Sequence, residues 1–144
     1  MREFRDRFNV AKSDAARLIR TETNYFENQA EIETARELGI EKLQFIATLD
    51  SRTSSICRDH DHDIIDTDKA VQGDNAPPLH PYCRSTLSFY IGKEYEPEIR
   101  IARDPKTGRN KYVTNMSYNE WAKQEELGTV EVIDLAKYFL PSFM

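Results

Sequence analysis

The chain has 144 residues, 39% of them apolar, which suits one small domain with one modest core. Its 20 basic and 25 acidic residues leave a net charge of −5, which argues against broad sequence-independent binding to DNA. The apolar runs fall far short of the ~20 residues that cross a bilayer, and Met1-Arg2-Glu3-Phe4-Arg5-Asp6-Arg7 lacks the apolar stretch of a signal peptide, so a cytosolic product without a membrane partner is expected.

Arg2, Arg5, Arg7, Lys12, Arg17 and Arg20 form the best basic patch, diluted by Glu3, Asp6, Asp14 and Glu22, and read as a solvated helix face. Ser13-Asp14 is a good N-cap and Gly39 a good stop, so a long helix is predicted between them. Ala15, Leu18, Ile19, Phe26 and Ala30 recur at helical spacing and predict the stripe that meets a sheet. Glu22 falls within that stripe. If buried it needs a partner, with Arg52 and Arg84 as candidates in a polar network with Asp50; if at the stripe's edge it sits in water.

Leu43, Phe45, Ala47 and Leu49 alternate with Gln44, Ile46 and Thr48, the period of a strand with one buried face. A turn on Asp50 and Thr53 follows, then a short helical turn over 54–60, a brief strand at Ile64-Ile65 and a loop over 66–76. Thr86 to Tyr90 alternates again. Asp104 to Gly108 reads as a hairpin turn between 99–101 and 111–113. Ser117 and Glu120 make a capping box that starts a helix burying Trp121. From Val130 to Met144, Ile133, Leu135, Ala136, Tyr138, Phe139, Leu140 and Phe143 read as a last helix stopped by Pro141 that closes the core, or as a patch for docking or self-association. The expected fold is α+β: a long N-terminal helix on a small, mostly antiparallel sheet, a turn-rich Cys/His knot and C-terminal helices.

Both cysteines sit in stiff surroundings. Cys57 follows the Asp50 turn, and Pro77, Pro78 and Pro81 fix the turn that carries His80, Cys83 and Arg84. Cys57, His80 and Cys83 offer sulfur, nitrogen and sulfur to a structural zinc, which needs a fourth ligand; His60 is the candidate, with His62 as the alternative. Two other readings stay open: a Cys57 to Cys83 disulfide, or two buried thiols beside a hydrogen-bonded His80.

Enzymatic readings are weaker. Asp59-His60-Asp61-His62-Asp63 invites a metal nuclease with His80 as base, but no His-Glu-x-x-His or deaminase motif accompanies it. Ser85-Thr86 and Glu94-x-Glu96 imitate two short elements of ADP-ribosyltransferases. The chain is read as a non-enzyme.

The order of motifs resembles the head morphogenesis proteins of tailed phages, typified by the F protein of phage Mu and the minor head protein of a Bacillus phage. The matching residues are Arg20-Thr21-Glu22, Leu49 to Thr53, Cys57 and Pro77 to Arg84, with Ala102-Arg103-Asp104 and Met116 to Trp121 matching the Gram-positive branch. In that family the stretch after the first cysteine usually reads Cys-x-x-Leu-Asp-Gly, so His60 and His62 stand for a leucine and a glycine. The resemblance implies a head morphogenesis domain over 1–128 with a C-terminal extension over 129–144. It implies a structural role in procapsid assembly, with capsid or portal proteins and exiting DNA as partners and the virion and host cytoplasm as locations. A repurposed phage protein that binds a host defence factor is the alternative.

Overall fold

The computed structural model describes residues 1–136. The chain is α+β, and its backbone groups into two compact units: residues 1–46 with 62–91, and residues 47–61 with those from Gly92 onward.

The first unit is built on helix α1, Arg2–Glu37. It starts well before Ser13, the expected cap. Nothing from Phe4 to Lys12 is a helix breaker, and ion pairs of Arg7 with Glu3 (2.9 Å) and Arg17 with Asp14 (3.6 Å) lie along its surface. It stops as expected at Gly39, whose φ of 70° suits glycine, while the Ile40 N–H returns to the Ala35 carbonyl at 2.8 Å.

The predicted buried stripe is on the wrong face. Leu18, Ile19 and Phe26 are each more than 60% exposed, and the buried residues are Asn24, Asn28, Ile32 and Ala35. Hydrogen bonding explains the choice. The sheet of this unit is antiparallel in the order β2-β1-β3, from Lys42–Ile46 (β1), Ile64–Asp66 (β2) and Thr86–Tyr90 (β3), which leaves β3 at an edge. Asn28 accepts from the Leu87 N–H at 2.9 Å, and Asn24 donates to the Ser85 carbonyl at 2.9 Å. Edge backbone groups need partners, which amides supply and an apolar stripe does not. Leu43, Phe45, Ala47 and Leu49 are buried as the alternation predicts, but Gln44 is buried too and the strand ends at Ile46.

The second unit contains helix α2, Ser55–His60, the hairpin of β4 (Ile99–Arg103) with β5 (Asn110–Thr114), and helix α3, Tyr118–Leu127. Its core joins Leu49, Ala102, Val113, Tyr118 and Trp121, with the two aromatic rings edge to face at 5.3 Å. Asp104 closes the hairpin, its carboxylate accepting from the N–H groups of Lys106 (2.8 Å) and Thr107 (3.2 Å). Those bonds, followed by the Lys111 charge, hold its pKa below the usual carboxylate value. The capping box forms as expected, the Ser117 N–H donating to Glu120 at 2.9 Å, and Trp121 is buried. Val130 packs on the core and the Ile133 N–H donates to Tyr112 at 2.8 Å. The expected last helix and Pro141 lie largely outside the described residues.

Candidate functional site

Cys57 is placed by a chain of local bonds. The buried Asp50 carboxylate accepts from the N–H groups of Arg52 (2.9 Å) and Thr53 (3.1 Å), which bends the chain after Leu49. Ser54 then caps α2, its hydroxyl accepting from the Cys57 N–H at 3.3 Å. Arg58 ties the turn to the helix through the carbonyls of Thr53 (2.7 Å) and Ser51 (3.1 Å), and its guanidinium lies over the Tyr118 ring. Cys57 is left buried on the first turn.

His80 and Cys83 come from the proline turn. Pro77-Pro78 is cis, Pro77 is buried, and the Cys83 N–H returns to the His80 carbonyl at 3.2 Å. Tyr82 sits at φ 60°, a conformation a tyrosine seldom adopts, held by its bonds to α1: its N–H donates to Thr21 Oγ1 at 3.2 Å and its hydroxyl to the Ser13 carbonyl at 3.3 Å. Nδ1 of His80 lies 2.7 Å from the Pro81 carbonyl, so the tautomer protonated there leaves Nε2 as a lone-pair donor.

His80 and Cys83 stand on one turn of the first unit, and Cys57 on α2 of the second. The donor set is soft, its two thiols are buried, and no disulfide joins them. Sulfur, nitrogen and sulfur are donors that zinc takes, and three of them are one short of the closed set of four in a structural site. His60 is the last residue of α2, and His62 follows shortly after it at φ 70°. Of the other residues singled out from sequence, Pro78 is half-buried, whereas Pro81, Arg84 and Glu22 are exposed. Asp50 and Arg52 do come together, at 3.9 Å, and Glu22 takes the solvent reading.

Within the acidic and histidine run, Asp61 has a structural use. The side chain of Asp61 is fully buried and forms an ion pair with Arg100 at 2.7 Å, with a second bond at 2.8 Å. It also accepts from the backbone N–H groups of Ala47 (2.7 Å) and Tyr118 (2.6 Å). Arg100 donates onward to the carbonyls of Met116, at 2.7 Å, and Ala47. These bonds commit both carboxylate oxygens to a structural hub. Ser85 is likewise buried, so its hydroxyl is closed to the substrate of an ADP-ribosyltransferase. Asn24, Asn28 and the partnership of Asp61 with Arg100 were missed from sequence. Two asparagines four apart inside a helix, where the residue is a poor helix former, are a signal for the first pair. The partners in the second are 39 residues apart, and nothing local announces them.

A family model described as "Phage Mu protein F like protein" matches residues 1–88, more than half of the chain. No curated protein and no solved structure matches.

Proposed function

The chain belongs to the phage Mu protein F-like family, and from that premise we propose that it is a minor head protein domain with a structural role in procapsid assembly. The family is one of structural head proteins, which points to phage head morphogenesis, capsid-related partners and association with the virion. In the proposed role the partners are capsid or portal proteins near the exit path of DNA, met in the host cytoplasm and retained in the particle. Residues 1–128 serve as the head morphogenesis domain and 129–144 as its extension. No helix among the described residues is long and apolar enough to cross a membrane. The family match carries this reading. Quantitative mass spectrometry of purified virions of the encoding phage tests it: peptides spanning Leu79 to Arg84 at a stable ratio to the portal support it, and their absence despite abundant expression overturns a resident role.

The same reading includes a structural zinc. Cys57, His80 and Cys83 would hold it as two thiolates and the Nε2 of a histidine oriented by the Pro81 carbonyl, with the fourth position left to a ligand outside these three, a reading that their donor types and the burial of both thiols support. One zinc per chain by elemental analysis, and a lower melting temperature with a chelator that is lost in Cys83→Ser, are the expected results. Zinc-free protein with a melting temperature indifferent to chelator would remove the ion and leave buried thiols.

A further inference from the structure

The apolar stripe of α1 is real but turned to water. At about 100° per residue, Phe4, Phe8, Ala11, Ala15, Leu18, Ile19 and Phe26 share one side of the helix. All are exposed, Phe4 at 76% and Phe8 at 62%. The opposite side carries the contacts with the rest of its unit: the Ser13 carbonyl and Thr21 bond Tyr82, and Asn24 and Asn28 bond Ser85 and Leu87. Phe4, Phe8, Ala11, Ala15 and Leu18 also alternate in spacings of four and three, the seam of a helix that pairs with another helix. Glu22, next in the series, ends it.

We propose that this seam pairs with the same seam of a second copy of the chain, with the two helices antiparallel. One register makes the stripe complementary to itself: Phe4 lies against the partner's Ala15 and Phe8 against the partner's Ala11, with each contact repeated by the two-fold axis. Large residues then face small ones, the arrangement that fills a helix seam without voids or clashes. The same register sets Arg7 beside the partner's Asp14, an attractive pair that also occurs twice. Arg5 falls near the partner's Lys12 on the other flank, so charge favours the register on one side only and the apolar fit carries the affinity. A further observation agrees with a second copy as occupant: the seam lies on the side away from the Ser13, Thr21, Asn24 and Asn28 contacts, so a partner helix can reach it without displacing them.

Sedimentation equilibrium of the full chain, from low micromolar to millimolar concentration, tests the proposal. A reversible dimer is expected. Phe8→Asp is expected to weaken it by at least about tenfold, because it puts a carboxylate in an apolar seam. Phe8 is exposed in the single chain, so circular dichroism should show an unchanged fold. Arg7→Asp is expected to weaken the dimer by setting two carboxylates together, and adding Asp14→Arg should restore it. A monomer throughout overturns the proposal, as does a dimer that Phe8→Asp leaves intact. A monomer whose α1 instead binds anionic lipid vesicles, and loses that with Phe8→Asp, overturns it in favour of a lipid surface.

Discussion

The two units fasten a helix to its surroundings by different chemistry. In the first, a neutral pair, Asn24 and Asn28, joins α1 to the edge strand β3. In the second, the charged pair of Asp61 and Arg100 gathers the backbone at Ala47, Met116 and Tyr118. Both spend buried side-chain polarity on backbone groups, as suits a chain only 39% apolar. The difference lies in what is left when one member is removed. Truncating an amide orphans neutral donors and acceptors, whereas truncating one ion leaves the other charge buried and unpaired.

The largest effect should follow from that unpaired charge. Arg100→Met is expected to lower stability by about 3–5 kcal/mol in urea melts, the usual cost of breaking a buried pair. Adding Asp61→Leu sharpens the comparison, because it removes the orphaned charge. Recovery should be partial, since the Ala47 and Tyr118 N–H groups still lose their acceptor, leaving a deficit of about 1–3 kcal/mol. Full recovery would mean that the hub acts through charge alone.

Asn28→Ala should cost less than the charged hub, about 1–3 kcal/mol, by orphaning the Leu87 N–H. A loss as large as that of Arg100→Met would break the contrast between the units. Ser117→Ala, which removes one cap from α3, should cost about 1 kcal/mol.

The smallest effect concerns pH. Because the folded pKa of Asp104 is lowered, its stabilising contribution is present above the unfolded value of about 3.9 and is lost as pH falls through the folded one. Half-buried Glu31 has the opposite sign: burial raises its pKa, so its contribution is present below the unfolded value of about 4.3 and fades as pH rises through the folded one. Asp104→Asn should therefore flatten the acid limb of the stability profile, and Glu31→Gln should flatten the mildly acidic region above it. Melting temperatures measured from acid to neutral pH check both.

Much of the fold was legible because it depends on near neighbours. The β1 alternation, the Asp50 turn, the hairpin closed by Asp104 and the capping box of α3 each involve groups within a few residues. The start of α1 was misread because Ser13-Asp14 is a good cap that the helix runs through; capping preference does not stop a helix when the preceding residues also favour it. The buried face of α1 was misread for a deeper reason. Periodicity correctly found its apolar side, but an edge strand needing hydrogen bonds took the amide side. In the candidate site Cys57, His80 and Cys83 were visible as a motif, because the capped turn and the prolines beside them are local features.

By itself, then, the sequence determined the family, the α+β class and the local turns and caps, since these rest on residue type and short-range backbone geometry. Only the tertiary structure decided that Asp61 is a buried partner of Arg100 instead of an exposed acid, and that α1 turns asparagine inward and phenylalanine outward. Those outcomes depend on which backbone groups lack partners after the strands have paired, a quantity that exists only once distant segments have met.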